Sequence, residues 1–278
     1  MPATPQTFSH FPTWPLPVLS DAAHADPPRL TVSARTTCGY LPDRLSLFRA
    51  FEAEQLSGEA YQRLLDAGFR RSGTLVYQPM CPGCRQCVPI RVPTDRFMPT
   101  KSQRRVLRKN ADLAVSANVP APTAEKYELY DRYQRQWHDG KQAGDLLGYL
   151  NFLYQSPVKS VEFEYRDPQL GTQAELQLGG RLLGIGICDL MPKALSSVYF
   201  YFDPEHADRS LGTFSVLYEL MWAKKHHLPY WYAGYWVNHC PTMEYKARFQ
   251  PAQLLGTDGI WRDMKVSDHQ PAATSSPA

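Results

Sequence analysis

The stretch from Tyr77 to Asn110, YQPMCPGCRQCVPIRVPTDRFMPTKSQRRVLRKN, combines two features that determine how the rest of the chain is interpreted. Three closely spaced cysteines come first, and a strand-like run and a basic segment follow them. Clustered cysteines are typical of metal centres, whereas clustered cations are typical of proteins that bind polyanions. Each feature is therefore analysed for the partner that it predicts.

The cysteines have the spacing of a metal-binding knuckle. Cys81, Cys84 and Cys87 are separated by two residues each, and a turn at Pro82-Gly83 can direct several thiolates at one ion or cluster. Three ligands leave one position open, for which Cys38 is the best candidate. Zinc and an iron–sulfur cluster both accept four thiolates, so the spacing does not name the metal. The alternatives are reduced cysteines in a turn or a redox-active pair.

The basic segment that follows, Lys101 to Asn110, is predicted to be a short helix with Ser102 as its N-cap. Its cations recur four residues apart and so occupy one face. Repulsion at this spacing costs an isolated helix about 0.2–0.5 kcal/mol per pair, and a phosphate backbone would offset that cost. A solvated basic face is the alternative. The predicted nucleic-acid contacts are Lys101, Arg104, Arg105, Arg108 and Lys109.

The composition is that of an ordinary globular protein. Of the 278 residues, 43% are hydrophobic and 21% are charged, and a formal net charge of +3 is too small to establish a polyanion partner. Six cysteines, three of them in one knuckle, suit a reducing compartment. Residues 1–28 lack the basic start and apolar core of a signal peptide, and no apolar run has the length of a membrane span. We therefore predict a cytoplasmic protein with no membrane partner.

Periodicity and turn residues predict an α+β fold. In the first half we predict a strand at 44–51, a helix from Ser57 to Leu65 that stops at Gly68, and strands at 73–78 and 88–92. In the second half, helices at 124–137 and 210–225 surround a meander of strands, and a last strand covers 230–236. The meander strands are predicted at 161–165, 174–178, 182–190 and 197–202, with Gly179-Gly180 as a hairpin turn.

The order of elements in the second half is that of acetyltransferases, which bind acyl-CoA. Such folds hold pyrophosphate at a helix N-terminus through the loop Arg/Gln-x-x-Gly-x-Gly/Ala. This chain keeps Arg209 and Gly212 but has Phe214 in place of the last small residue, so no CoA is expected. The predicted regions are a flexible arm (1–29), a cysteine-knuckle domain with the basic helix (30–119), an acetyltransferase-like (GNAT-type) domain with a mixed sheet and flanking helices (120–265), and a disordered tail (266–278).

Seven segments between about 36 and 255 make the sequence resemble the aminoacyl-tRNA–protein transferases, in particular the bacterial aspartate/glutamate leucyltransferases. They are TTCGYLPD, GFRRSG, YQPMCPGCRQCVPIRV, SQRRVLRKN, SLGTFSVLYEL, YAGYWV and CPTMEYKARFQP. The resemblance implies a cytoplasmic enzyme that transfers leucine from Leu-tRNA to an N-terminal Asp or Glu, which marks the protein for degradation by the N-degron (N-end rule) pathway. Related eukaryotic enzymes transfer arginine, so arginine is the alternative donor.

The same resemblance supplies candidate site residues. Tyr235, Tyr245 and Lys246 match its C-terminal segments and are candidates for proton transfer or oxyanion stabilisation, with buried packing as the alternative for Tyr235. Arginine forms a bidentate pair with a carboxylate. The candidates for binding the acidic acceptor are therefore Arg70, Arg71 and Arg248, together with Lys246. Each could instead pair with a structural acid or cover the core.

Two other function classes stay open. A zinc-knuckle nucleic-acid-binding protein without catalysis accounts for the cysteines and the basic helix but not for the second domain. An acyl-CoA N-acyltransferase accounts for the second domain but not for the basic helix. Cys188 and Cys240 are predicted to be small core residues, and His226 and His227 to end a helix.

Overall fold

A computed structural model describes residues 29–137 and 145–265 of the chain. The predicted arm, apart from residue 29, and the predicted tail lie outside the described residues. The α-helices are α1 (Gly58–Asp66), α2 (Lys101–Lys109), α3 (Ala124–Trp137), α4 (Leu146–Tyr149), α5 (Gln173–Gln177), α6 (Leu211–Lys225) and α7 (Pro241–Glu244). A π-helical turn covers Leu150–Tyr154, and 3₁₀ turns cover Pro204–Arg209 and Tyr245–Arg248. Within these described ranges, no helix is long and apolar enough to cross a membrane.

The strands form one large and two small sheets. They are β1 (Thr31–Val32), β2 (Thr36–Thr37), β3 (Leu45–Ser46), β4 (Phe48–Glu52), β5 (Arg70–Ser72), β6 (Leu75–Pro79), β7 (Val88–Pro93), β8 (Ala114–Asn118), β9 (Ser160–Asp167), β10 (Arg181–Met191), β11 (Ala194–Phe202), β12 (Tyr230–Trp236), β13 (Gln253–Leu255) and β14 (Trp261–Asp263). The large sheet has the order β14-β13-β7-β12-β11-β10-β9-β8, and the small sheets are β1-β4-β6-β5 and β2-β3.

The large sheet is mixed, because β11 and β12 pair in parallel while the other neighbours pair antiparallel. Helix α6 connects the two parallel strands, as a parallel pair requires. This confirms the predicted α+β class with a mixed sheet and flanking helices. The acetyltransferase-like type remains a prediction.

Helices cover both faces of the sheet because β10 alternates between large and small side chains. Leu183, Ile185 and Ile187 belong to the apolar cluster of α3, which also contains Leu129. Gly186 faces the other layer, where the side chains of α6 pack. Burying a large apolar side chain contributes about 1.5–3 kcal/mol, so the alternation fixes which helix lies on each face.

The first half of the chain contributes a strand to the large sheet. Strand β7 lies between β12 and β13 and pairs with both, and α2 packs against α6. The small sheet β1-β4-β6-β5 and α1 pack beside this region through Phe51, Tyr61 and Tyr232. The predicted domain boundary between residues 119 and 120 remains a prediction. Strand β7 precedes that boundary in sequence but belongs to the large sheet, whose other strands follow it.

Three local predictions are wrong, and all of them involve the reciprocal N-terminal cap of a short helix. The N-cap of α2 is Thr100 and not Ser102, because Thr100 Oγ1 accepts a hydrogen bond from the Gln103 N–H (3.3 Å) while Gln103 Oε1 accepts one from the Thr100 N–H (2.9 Å). Residues 174–178 are not a strand, since residues Gln173–Gln177 form α5 with a reciprocal cap between Thr172 and Glu175. Consequently Gly179-Gly180 joins a helix to β10 and is not a hairpin turn.

Candidate active site

A cleft opens where β11 and β12 separate. The two strands pair only between Ala194–Ser196 and Tyr230–Tyr232, although β11 continues to Phe202 and β12 to Trp236. After Ser196, β11 no longer pairs with β12, and its edge faces the space between the two strands. The pairing of β12 with β7 is irregular at the same level, between Tyr232 and Gly234. Such irregularities often redirect side chains at sites.

Two cationic side chains meet at Gly234 in this cleft. A Cβ added to Gly234 would lie 3.5 Å from Lys246 Nζ and 3.6 Å from Arg70 Nε. Its φ of +90° also favours glycine, so both the backbone and the close approach explain the residue. A glycine inside the aromatic strand YWYAGYW was the sequence signal for this close approach.

The side chain of Arg70 extends from β5 to β11, and the residue is 9% exposed. Its Nη1 donates to Ser196 Oγ at 2.7 Å, and its Nη2 donates to the Ser197 carbonyl at 2.5 Å. Within the described part of the chain, no carboxylate lies at ion-pair distance from it. A buried guanidinium is ordinarily paired with an acid, so Arg70 is suited to receive one from a ligand.

Lys246, in the 3₁₀ turn after α7, is a second buried basic residue for which residues 29–137 and 145–265 provide no acidic partner. Its Nζ donates to the Tyr235 carbonyl at 2.8 Å and lies 3.5 Å from Met243 Sδ, and the residue is 8% exposed. Burial lowers the pKa of Lys246 to about 7, and the positive charge of Arg70 acts in the same direction. A lysine with a pKa of about 7 is partly uncharged at physiological pH, and its uncharged amine can accept a proton.

The two predicted catalytic tyrosines differ in their surroundings. Tyr235 is 4% exposed, donates to the Gly68 carbonyl at 2.8 Å and has its pKa raised by burial, so its side chain is held as a packed element of the cleft wall. Tyr245 is 38% exposed, yet burial raises its pKa to about 12. Tyr245 is therefore the more accessible of the two side chains.

The other predicted acceptor-binding arginines have different partners. Arg71 forms a buried bidentate pair with Asp189, at 2.8 Å from Nε and 2.6 Å from Nη2. Its fork is therefore occupied. Arg248 is exposed, and its carbonyl accepts a hydrogen bond from Gln103 Nε2 of α2 at 3.0 Å. Of the three, only Arg70 lies in the cleft with Lys246.

A cavity of about 240 Å³ adjoins this cleft, with Tyr235 and Gly68 in its wall. Arg49 also lines it, and both its Nε (2.9 Å) and its Nη2 (2.6 Å) donate to Gln78 Oε1. The cavity is further lined by Cys81, Cys84 and Cys87. Sequence reasoning missed Arg49, Ser196 and Ser197, because no motif distinguishes them from ordinary strand residues.

The four predicted metal ligands lie in one region but do not form a finished site. Burial raises the pKa of Cys87 to about 12, and the neighbouring charges of Cys81, Cys38 and Cys84 act in the same direction. Cys81 Sγ lies 3.4 Å from both the N–H and the carbonyl oxygen of Leu47. Across residues 29–137 and 145–265, no three His, Cys, Asp or Glu side chains are grouped to hold a metal ion. The thiols therefore lie near one another without forming a grouped set of ligands, and the metal centre remains a prediction.

Metal analysis tests that prediction. Protein purified anaerobically should carry zinc, or iron with sulfide, and Cys84→Ser should lower both the metal content and the melting temperature, because metal binding contributes to folding. Cys188→Ala is the control, since Cys188 is a buried thiol of β10 that belongs to the main apolar cluster. Wild-type protein that is fully active without metal would contradict the prediction.

The basic helix α2 presents its cations to solvent. Lys101, Arg104, Arg105, Arg108 and Lys109 are all exposed, whereas Val106 and Leu107 pack on the main apolar cluster. Lys109 is paired with Asp208 at 2.9 Å, and Arg104 donates to the Pro99 carbonyl at 2.6 Å. The amphipathic helix is thus present, and its partner remains a prediction.

The loop before α6 differs from a phosphate site. Arg209 pairs with Asp112 (2.8 Å) and Asp167 (3.1 Å). Phe214 is 6% exposed and belongs to the core. The guanidinium that would face a pyrophosphate is therefore already occupied by carboxylates.

Comparison with known proteins matches both halves of the chain. Residues 36–105 match the family model described as arginine-tRNA-protein transferase, N terminus, and residues 125–256 match the corresponding C terminus. Three curated relatives named aspartate/glutamate leucyltransferase come from Pseudomonas putida (strain W619), Marinobacter nauticus and Nitrobacter hamburgensis. Their identities are 38%, 39% and 36%, over 79%, 82% and 87% of this chain and 90%, 93% and 95% of theirs.

Similarity to solved structures is weaker. L-PGS from Bacillus licheniformis is 13% identical, with a TM-score of 0.41 over 67% of this chain and 52% of that chain. This similarity is too low to support a conclusion about the site.

Proposed function

Because this chain belongs to the arginine-tRNA-protein transferase family, we propose that it transfers leucine from Leu-tRNA to the N-terminal Asp or Glu of proteins. Family membership makes the protein an aminoacyltransferase. The names of its curated relatives support leucine as the transferred residue, and arginine is the alternative. Addition of leucine would mark the acceptor for the N-degron pathway, in the cytoplasm where charged tRNA is available.

One observation carries the assignment of roles: Arg70 and Lys246 are two buried basic side chains that lie against Gly234, and neither has a carboxylate partner among the described residues. A substrate with an N-terminal Asp or Glu brings a carboxylate and an amine that must lose a proton. Arg70 would pair with the carboxylate, and Lys246, which is neutral above its lowered pKa of about 7, would take the proton. The substrate thus supplies what each buried group needs.

The reaction requires little covalent chemistry from the protein. The acceptor nitrogen attacks the ester carbonyl carbon, the bond from that carbon to the tRNA oxygen breaks, and the proton lost by the amine passes through Lys246 Nζ to the leaving oxygen. Positioning can remove on the order of 7–11 kcal/mol of barrier. Backbone groups on the free edge of β11 past Ser196 are the candidates for stabilising the oxyanion.

The acetyltransferase-like interpretation of the fold is part of this proposal. It is supported by the parallel pair β11 and β12, which separates after three residue pairs and is connected by α6. The acyl donor would then be a tRNA ester, with no CoA, in keeping with the occupied Arg209 and the buried Phe214. The cysteines would hold zinc or an iron–sulfur cluster beside the cleft, and no reaction step depends on it.

We assign tRNA binding to the exposed face of α2. Charge reversal of Arg104 and Arg108 to Glu should raise the KM for charged tRNA at least about tenfold, because phosphate contacts become repulsive. The KM for the peptide should change little. The slope of log affinity against log salt should fall by about 1 for each lost contact.

Lys159 and Lys193 provide the matched control. Both are exposed and lie near the turn between β10 and β11, whereas α2 is tied to Asp208 beyond the other end of β11. Their reversal to Glu changes the net charge equally and should leave the KM for tRNA close to that of the wild type. Equal tRNA affinity of the α2 variant and the wild type would remove this helix from the proposal.

A transfer assay tests the function itself. Labelled leucine on tRNA is incubated with a peptide that begins with Asp, beside labelled arginine on its tRNA and labelled acetyl-CoA. We expect label from Leu-tRNA to appear on the peptide and none from acetyl-CoA. Transfer from acetyl-CoA alone would support an acyl-CoA N-acyltransferase, and binding of tRNA without any transfer would support a nucleic-acid-binding protein.

A further inference from the structure

The second half of β11 has a partner strand on one side only. After Ser196 this strand no longer pairs with β12, whereas its antiparallel pairing with β10 continues to Phe202. The register with β10 shifts once, at Val198, which has no partner in β10. Among the described parts of the chain, the edge of β11 from residue 197 to 202 is therefore open on the side of the cleft.

The ladder with β10 shows which backbone groups point to this free edge. The Asp203 N–H donates to the Leu183 carbonyl at 2.9 Å. Hydrogen-bonded pairs recur at every second residue of an antiparallel ladder, so Tyr201 also directs its backbone groups to β10. Phe200 and Phe202 flank Tyr201 and direct their N–H and carbonyl groups the other way. Across residues 29–137 and 145–265, these four groups form no hydrogen bond.

The free edge leads from the buried arginine of the cleft to the protein surface. Arg70 Nη2 donates to the Ser197 carbonyl of β11 and would lie 3.6 Å from a Cβ on Gly234 of β12, so the guanidinium spans the gap where the strands separate. At the other end of the edge, the rings of Phe202 and Trp137 have centroids 5.0 Å apart. Trp137 is 50% exposed, so a chain that follows this edge can leave the protein there.

The proposed acceptors have only two features in common. Proteins that begin with Asp or Glu share that first side chain and a main chain, while their sequences differ after the first residue. A free strand edge binds main-chain N–H and carbonyl groups, which every sequence provides. At about 3.3 Å per residue, the edge from Ser197 to Phe202 has room for about four to five residues of an extended peptide.

We propose that the acceptor polypeptide binds as an added strand on the free edge of β11, parallel to it, with its first residue at Arg70. This inference rests on the proposed role of Arg70 as the group that binds the acceptor carboxylate. In a parallel ladder, one peptide residue donates its N–H to the Phe200 carbonyl and accepts from the Phe202 N–H. The next residue but one donates to the Phe202 carbonyl. The backbone of Val198 is not used by this pairing and stays available to the oxyanion.

N-methylated peptides test the pairing without any change to the protein. A peptide of eight residues that begins with Asp is methylated on one main-chain nitrogen at a time, at residues 3 to 6. We expect kcat/KM to fall about tenfold at alternate positions, because the N–H that bonds the Phe200 or Phe202 carbonyl is lost. The positions between them should change less than about twofold. Equal effects at all four positions, or no effect at any, would overturn the inference.

Acceptor length provides a second measurement. Asp amide has the carboxylate and the reacting amine but no following main chain. We expect kcat/KM to rise at least about tenfold from Asp amide to a peptide of five residues, and to change little from five residues to eight. Equal values for Asp amide and the longest peptide would contradict binding along the edge.

A pair of variants removes one hydrogen-bond donor from the edge. Phe200→Pro loses both the ring and the N–H, and Phe200→Ala is the matched control because it loses the ring and keeps the N–H. Proline is tolerated where the N–H is not used by the ladder. The KM for the Asp peptide should be about fivefold to tenfold higher in Phe200→Pro than in Phe200→Ala, with equal KM for Leu-tRNA. A difference confined to Leu-tRNA would assign the edge to the donor and overturn the inference.

The outcomes separate this inference from the proposed function. If Arg70→Lys loses selectivity for Asp over Asn while no methylated position is sensitive, the inference is wrong and the role of Arg70 stands. If the alternating pattern appears while Asp and Asn peptides react equally with the wild type, the role of Arg70 is wrong and the main-chain pairing stands. If Phe200→Pro does not fold, the methylated peptides decide alone, since they are measured on the wild-type protein.

Discussion

Replacing Lys246 by Met should lower the kcat of leucyl transfer by roughly 10²–10⁴-fold, the usual contribution of a general base. Met preserves the length of the side chain but cannot accept a proton. In the wild type, kcat should rise with pH through about 7, where Lys246 becomes neutral. The variant should lose this dependence. A kcat within threefold of the wild type would exclude Lys246 as the base.

The same substitution should make the folded protein more stable at neutral pH. The pKa of Lys246 falls from 10.5 to about 7 on folding, so the unfolded chain binds the proton more tightly, and stability rises with pH between these values. At 1.36 kcal/mol per pH unit, that gap corresponds to about 5 kcal/mol below pH 7, an upper bound for the gain on removing the amine. Thermal unfolding of both proteins at pH 6 and pH 10 measures it, and the advantage of Met should shrink at the higher pH.

Arg70→Lys should reduce the preference for acidic acceptors. A hydrogen bond to a charged group contributes about 1.5–3 kcal/mol, so wild-type kcat/KM should favour Asp over Asn and Glu over Gln peptides by roughly 10- to 150-fold. Lysine keeps the charge but loses the planar fork, and most of this preference should disappear. Kinetics with the four peptides measure the change. Similar wild-type rates on all four would refute recognition of an acidic N-terminus.

The other two arginines are controls with known surroundings. Arg248→Lys alters an exposed side chain and should leave the peptide preference unchanged. Arg71→Lys loses one arm of the buried pair with Asp189 and should mainly lower the melting temperature. Selectivity lost in Arg71→Lys but intact in Arg70→Lys would transfer the assignment to Arg71.

Most of the fold could be predicted because its elements have strong local signals. Ser57 caps α1 as predicted, and Gly68 follows this helix with a φ of +86°. The strands β7 and β12 lie at the positions that alternation or an aromatic run predicted. The errors arose because the alternation of 174–178 was interpreted as a strand and Ser102 as an N-cap. In both places a threonine is followed three residues later by Gln or Glu, as Thr100 is by Gln103 and Thr172 by Glu175. That reciprocal cap is itself a local signal.

The site was less accessible from sequence because it depends on contacts between distant residues. Lys246 was found through a resemblance, but its lowered pKa depends on burial that no spacing shows. Arg70 and Arg71 are neighbours in sequence, and only the fold assigns one to Asp189 and the other to Ser196.

The position of β7 also constrains how the chain reaches its native state on the ribosome. Pro93 pairs with Tyr230, so this strand has neither neighbour in the sheet until most of the polypeptide has been synthesised. Domains ordinarily fold from the N-terminus as they emerge, at about 5–20 residues per second. Here the nascent first half must wait for seconds with an unpaired apolar strand, which makes slow folding and dependence on chaperones the expected behaviour during synthesis.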